Sequence, residues 1–382
     1  MRSTLKFAVP LAAAALALGA CGTTGGDSAA PAASGGATAA AACDLKIGMF
    51  GALTGPNANL GIYIRNGVNL ALDDYNKANP DCKVALAEYD SQGDPTQAPA
   101  LAKTAIDDKK VVGIVGPAFS GESKAANPAF AEAGLVHITP SATNPALAEN
   151  GWKTFFRVLG NDATQGPAAA KYIKDTVKAT KVFAIDDASE YGKGLADIVR
   201  TDLGSTVIGN DTIQQKQTDF GASVTKVTAS GADAVFFGGY SPEAAPLIKQ
   251  LRDAGWKGTF VVADGVKDQS YIDNAQAAAE ATIITCPCVP ADVAPDFQAA
   301  YKAKFNEDPN TYSGEGYDSA KILLDGIKAG STRETMVDFV KAYDQPGVTK
   351  QLKFDDKGEV AEVKVFAYKV EGGKIVSAGE IK

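Results

Sequence analysis

VVGIVGPAFS (residues 111–120) and LVHITPSATNP (residues 135–145) decide the fold class. Each opens as a short β-branched run of the kind that forms a strand buried on both faces, then breaks into Gly, Pro, Ser and Thr. Two strand ends therefore carry hydroxyls. In an open α/β sheet, ligands sit in the crevice beyond the carboxyl ends of the strands, where the next helix presents unpaired N–H groups. The pattern suits a small polar molecule.

Outward from this pair, strand-like runs and helical stripes alternate along the chain. Residues 47–53 precede a helix whose stripe is Ile64, Val68, Ala71, Leu72 and Tyr75, a spacing that places them on one face. Asp94-Pro95 predicts an N-cap with proline at the first helical position, opening a helix with Leu101, Ala105 and Ile106 inward. After a short run at 155–159 a second series begins, with strands at 181–186, 207–213, 234–238 and 260–263 separated by helices. Helical patterns return at 296–305, 313–329 and 333–343, and hairpin-like strands close the chain at 351–354, 363–370 and 374–378. Two βα series in one chain predict an α/β protein of two doubly wound parallel-sheet lobes. At 382 residues, two domains are also the default for a chain longer than one core usually organises.

The N-terminus carries an address. Arg2 and Lys6 precede an apolar run at 7–18, which Leu18-Gly19-Ala20-Cys21 closes. This is a secretory signal over residues 1–20 ending in a lipobox, and it resembles bacterial lipoproteins, whose new N-terminal cysteine, here Cys21, is acylated. The apolar run is shorter than the ~20 residues needed to cross a bilayer. Residues 21–43 are Gly, Ala, Ser and Thr with few large apolar side chains, and read as a flexible tether. Removing residues 1–20 takes two of the 37 basic residues, leaving 35 against 45 acidic ones and a net charge of −10. That balance argues against a nucleic-acid partner, and leaves the acyl chain to hold the protein at the extracytoplasmic face of the membrane.

Export also changes how cysteines are read, because thiols outside the cytoplasm tend to pair. Cys43 and Cys82 each stand just before a strand-like run, so a Cys43–Cys82 disulfide is expected. Cys286-Pro287-Cys288 can close a small disulfide or stay reduced.

Catalysis is hard to build from these residues. His137 is the single histidine and sits inside LVHIT, which predicts a buried strand role rather than a general base. A histidine-based metal cluster is excluded, and neither a G-x-G-x-x-G fingerprint nor a P-loop is present. A Rossmann-like oxidoreductase is therefore a remote alternative, and no enzyme, cofactor or metal is expected.

Several motifs occur together and in order: GALTGP (51–56), VGP (115–117), ITPSAT (138–143), Phe156-Arg157, Asp162, Gln165-Gly166, EYGKG (190–194), GGY (238–240) and Asp264-Gly265. With these the chain resembles the leucine/isoleucine/valine-binding proteins of bacterial ABC importers, of the periplasmic binding protein type I fold, over nearly all of its length after Asp44. The resemblance implies two lobes joined by a three-stranded hinge: 44–160 with 289–350, and 161–288 with 351–382. It implies a monomer that closes on an L-amino acid and delivers it to an ABC transporter permease, or, alternatively, a sensor of the same fold coupled to a signalling partner. Ser120, Ser141, Ala142 and Thr143 correspond to the carboxylate-binding positions of that family, and hydroxyl and N–H donors near helix N-termini suit an anion. Asp264 and Tyr240 correspond to the ammonium-binding pair, and Tyr191 to a residue lining the cleft. Leu60 stands where relatives often carry an aromatic residue, and Phe119 where some carry a disulfide cysteine, so the side-chain pocket is expected to differ in shape.

Overall fold

The computed structural model describes residues 43–382. The secretory signal, Cys21 and all but the last residue of the tether lie outside the described residues.

The first sheet is five-stranded and wholly parallel, in the order β2-β1-β3-β4-β5. Its strands are β1 (Lys46–Gly51), β2 (Ala85–Asp90), β3 (Val111–Val115), β4 (His137–Thr139) and β5 (Phe155–Arg157). Every residue of β3 is buried, as a central strand covered on both faces requires. Helices α1 (Ala58–Ala78), α2 (Ala98–Asp107) and α3 (Ser120–Glu132) are the crossovers. The predicted stripe on α1 is buried throughout. Helix α2 starts later than Asp94-Pro95 suggests, because the Asp94 carboxylate accepts the Thr96 amide at 2.9 Å and its hydroxyl at 2.7 Å. The capping bond expected of Asp94 is thus present, but residues 95–97 close i→i+3 turns, with the Gln97 and Ala98 amides on the Asp94 and Pro95 carbonyls, before the α-helix begins at Ala98.

The second sheet has seven strands in the order β14-β13-β10-β9-β8-β6-β7. Strands β6 (Val182–Asp186), β7 (Val207–Thr212), β8 (Ala234–Gly238), β9 (Thr259–Ala263) and β10 (Ile283–Cys286) run parallel, linked through α4 (Asp162–Tyr172), α5 (Glu190–Leu203), α6 (Gly221–Ser230), α7 (Ser241–Asp253) and α8 (Gln269–Ala275). Helix α4 leads into this lobe and runs on into a π-helical turn at Ile173–Val177. After α9 (Pro295–Phe305), α10 (Ser313–Lys328) and α11 (Met336–Lys341) come β11 (Asp344–Pro346), β12 (Gln351–Lys353), β13 (Phe366–Glu371) and β14 (Lys374–Glu380). The β13–β14 hairpin adds to the sheet antiparallel, so the second lobe is mixed rather than wholly parallel. Its two-residue turn is Gly372-Gly373, both at positive φ, the backbone that a tight hairpin demands.

The residues that return to the first lobe differ in one place from expectation. Strand β12 pairs with β11, and Glu359 bridges Arg157 at the edge strand β5, so residues 351–360 lie with the first lobe. The ion pair between Arg157 and Glu359 holds them there. The chain thus crosses between lobes after β5, after β10, and between residue 360 and β13. Helix α10 packs on α1 so closely that a Cβ on Gly67 would meet the Ser313 carbonyl oxygen at 2.0 Å. The sulfurs of Cys43 and Cys82 stand at bonding distance, 1.99 Å, tying the start of β1 to the start of β2. Those of Cys286 and Cys288 do the same at 2.00 Å, beside the second crossing.

His137 is fully buried between Phe130 and Phe155, with ring centroids at 5.2 and 5.9 Å, and its Nδ1 stands 3.1 Å from the Leu135 carbonyl oxygen. Its Nε2 has no hydrogen-bond partner among the described residues. Burial pushes the imidazole down to about 4, against an ordinary value of 6.5. The folded state therefore holds it neutral, and its contribution is complete above pH 6.5 and lost as pH falls through 4. Relative to His137→Phe, the wild-type protein is expected to lose about 3 kcal/mol of stability between pH 6.5 and pH 4. Urea unfolding of both proteins across that range measures it; parallel pH profiles would contradict it.

Candidate ligand-binding site

In both sheets the strand order reverses once, between β1 and β3 in the first and between β6 and β8 in the second. The crevice at such a switch point is where open α/β sheets hold ligands. The loops leaving β3, β4, β6, β8 and β9 carry Ser120, Ser141, Tyr191, Tyr240 and Asp264, and the two lobes present them to one another.

The first of these loops is set by Gly116 and Glu122. Gly116 has φ +116, and a Cβ there would lie 2.3 Å from the Phe50 carbonyl oxygen, so only glycine turns the chain out of β3 at this point. The Glu122 carboxylate reaches back to the Phe119 amide at 3.3 Å and also accepts the Ser91 hydroxyl. This is half of a capping box, since Phe119 has no side-chain acceptor to return. Burial pushes Glu122 up to about 7. Ser120 is the first residue of α3, and its Oγ accepts the Asn144 amide at 3.2 Å, which joins the first hydroxyl-bearing loop to the second.

The second loop is held by Arg157. Its Nη1 donates to the carbonyls of Ala142 (2.8 Å) and Asn144 (3.0 Å), while its Nε and Nη2 engage Glu359. Thr139 Oγ1 accepts the Ala142 amide at 2.9 Å and donates to the Pro117 carbonyl at 2.8 Å. The Ser141 hydroxyl donates to the Ala118 carbonyl at 2.6 Å.

A small cavity, about 10 Å3 in the closed protein, lies between the lobes, lined by Leu60, Ala118, Phe119, Ser120 and Ser141 from one side. Tyr191, Tyr240, Asp264, Gly265 and Tyr312 complete it. Of the residues expected from sequence, Ser120, Ser141, Tyr191, Tyr240 and Asp264 meet there. Ala142 and Thr143 are buried but lie off the cavity wall, because Arg157 and Thr139 draw the Ala142 backbone away from it. The Thr143 hydroxyl faces the buried Asp162 carboxylate instead.

Asp264 is the chemical centre of the cavity. Its Oδ1 accepts Gln165 Nε2 at 2.6 Å and the Tyr191 hydroxyl at 2.8 Å, and its Oδ2 accepts the Tyr312 hydroxyl. Burial raises its carboxyl above the ordinary value, while the three donors pull the other way. Asp162 is also fully buried, with the Thr143 hydroxyl as the donor that favours its charge. Burial, and then the nearby charge of Asp264, holds it far above the usual carboxylate range. Two buried acids beside one cavity constitute a site that gains most from a cation. Tyr240 packs its ring against Tyr191 (5.1 Å) and, across the cleft, against Phe119 (5.4 Å), and among the described residues it is Tyr191 and Tyr312 rather than Tyr240 that bond Asp264.

The lobes are closed on one another. Lys124 Nζ pairs with Glu190 Oε2 at 2.9 Å, Asn144 Nδ2 donates to the Glu190 carbonyl at 2.8 Å, and Asn59 Nδ2 donates to Asp268 Oδ1 at 3.1 Å.

The periplasmic binding protein family model matches residues 44–374. The chain belongs to that family. It is 33% identical over 346 residues to the Leu/Ile/Val-binding protein BraC3 of Rhizobium johnstonii, covering 88% of this chain and 94% of that protein. It is 32% identical over 351 residues to the leucine-specific-binding protein of Salmonella typhimurium, again covering 88% and 94%. Among solved structures, it superposes at a TM-score of 0.83 and 28% identity on LivJ, the branched-chain amino acid transporter substrate-binding protein of Streptococcus pneumoniae in complex with isoleucine, covering 88% and 99% of the two chains. The periplasmic binding protein type I architecture expected from the motifs is thereby established.

For a periplasmic binding protein of this kind, three residues at the site were not picked out from sequence as site residues: Asp162, Gln165 and Tyr312. Asp162 and Gln165 stand in motifs that carry the resemblance, so a buried acid at the start of α4 was open to notice. Tyr312 carries no local signal, since it reaches Asp264 from a segment 48 residues further along the chain.

Proposed function

We propose that this protein is an extracytoplasmic substrate-binding lipoprotein that captures a neutral, branched-chain L-amino acid between its lobes and delivers it to the permease of an ABC importer. The observation that carries the reading is the buried Asp264 carboxylate facing Ser120 and Ser141 across one closed cavity. An α-amino acid has a cation and an anion on one carbon, and this arrangement offers an acceptor for the first and, in the Ser120 hydroxyl, whose oxygen accepts the Asn144 amide and whose proton is free to donate, a donor for the second. The walls between them, Leu60, Ala118, Phe119 and Tyr240, are apolar enough for an uncharged side chain. The names of the relatives, the lipobox at 18–21 and the tether support delivery from a membrane-anchored position. Ligand contacts from both lobes would favour the closed state by population shift.

Titration calorimetry of the purified protein against the twenty L-amino acids tests this. One-to-one binding of leucine, isoleucine or valine is expected, with no measurable binding of the corresponding acids that lack the amine. Silence across the whole panel would overturn the reading.

A further inference from the structure

Tyr312 stands at the boundary between the lobes in a conformation that needs a reason. It precedes α10 with φ 68, in the left-handed region that bulky residues avoid. Behind it, α10 is seated on the first lobe, where a Cβ on Gly316 would meet the Ile64 carbonyl oxygen at 2.6 Å. Ahead of it, the chain touches the second lobe: the Thr311 hydroxyl donates to the Lys267 carbonyl, and Lys267 Nζ stands 3.3 Å from Thr311 Oγ1. The left-handed turn directs the Tyr312 ring from one lobe into the other, where its hydroxyl meets Asp264 Oδ2.

The two oxygens of Asp264 are not equivalent. Gln165 and Tyr191, both carried by the second lobe, fill Oδ1. Oδ2 receives Tyr312 alone among the described residues, which leaves it one lone pair for a further donor.

We propose that Tyr312 is a positioning residue that ties ammonium recognition to lobe closure, its hydroxyl donating to the same Asp264 oxygen that accepts the ligand's ammonium. The inference rests on the amino-acid reading above. When the lobes part, Tyr312 leaves with the first lobe and Asp264 loses the donor that steadies its charge. When they close, the carboxylate is aimed and held by donors from both sides. The amine is thus gripped most tightly in the closed state, and a ligand without an amine gains nothing from Tyr312.

The test is a double-mutant cycle on the affinity for the tightest-binding neutral amino acid, using Tyr312→Phe, Asp264→Asn and the double variant. Tyr312→Phe keeps the ring and the packing. It is expected to weaken binding about 10- to 100-fold, the scale of one hydrogen bond to a charged group, chiefly through faster release. In the double variant the loss should be no greater than for Asp264→Asn alone, because the hydroxyl acts through that carboxylate. Additive losses, or an unchanged affinity in Tyr312→Phe, would overturn the role of Tyr312 and leave the amino-acid reading standing. A wild-type protein that binds no amino acid would overturn both.

Discussion

Asp264→Ala is expected to weaken amino-acid binding by about 30-fold or more. Removing one partner of a buried, hydrogen-bonded charge pair costs about 2–5 kcal/mol, and here the ligand's ammonium would be left desolvated and unpaired. The substitution also strands three donors, Gln165 Nε2 and the hydroxyls of Tyr191 and Tyr312, around an empty space. Calorimetry reads the loss directly; an affinity within a few-fold of wild type would remove Asp264 from the ammonium role. The same residue gives binding a pH dependence of definite sign. Burial raises the Asp264 carboxyl, so in the empty cavity a proton competes with the ammonium over a higher pH range than at an exposed aspartate. Affinity should therefore fall on acidification, and the ligand should displace protons in the range where Asp264 is partly protonated.

Arg157→Met is the change expected to damage the fold most. Arg157 is fully buried, pairs through two nitrogens with Glu359, and donates to two carbonyls of the loop at 142–144. Breaking a buried ion pair from one side costs about 3–5 kcal/mol, and Glu359 would keep only the Asn161 side-chain amide at 3.2 Å to offset its charge. Methionine fills much of the volume but satisfies none of the four acceptor contacts. Two consequences should appear together: a fall of that size in unfolding free energy, measured by urea titration, and weaker ligand binding at temperatures where the variant is still folded. The second follows because Arg157 fixes the loop carrying Ser141 and, through Glu359, anchors residues 351–360 to β5. A stability loss under 1 kcal/mol would show that the network is worth little.

Particular residues show what could be seen in the chain before its structure. The buried strand β3 was legible because five consecutive apolar or glycine residues end at Gly116-Pro117, a break that no continuing strand tolerates. The alternation of strands and helices gave the two lobes for the same reason, since period and punctuation are local properties. The residues that line the cavity were legible where they follow a strand end: Ser141, Tyr240 and Asp264 come directly after strands, and Ser120 and Tyr191 stand in the first turn of the helix that follows one. Thr143 shows the limit. Its type and position suit a carboxylate, yet Arg157 and Thr139, from flanking strands, take the adjacent backbone and leave its hydroxyl off the wall. Tyr312 shows the other limit, because a left-handed residue reaching across a cleft has no periodicity and no motif. Residues 351–360 read as part of the second lobe by order alone, and are held in the first by an ion pair formed across 202 positions of sequence.

At the side-chain end of the cavity Phe119 and Tyr240 meet edge to face from opposite lobes, and Leu60 adds to the apolar wall. A ligand side chain that fills this end completes an apolar contact between lobes, and one that carries a charge leaves it unpaired.

The most direct test of the account is a crystal structure of the protein with its tightest-binding neutral L-amino acid. It should place the ligand's ammonium about 3 Å from Asp264 Oδ2 and its carboxylate at Ser120 and Ser141, with the side chain against Leu60 and Phe119. A ligand bound with its carboxylate away from Ser120, or seated outside the cavity between the lobes, would contradict it.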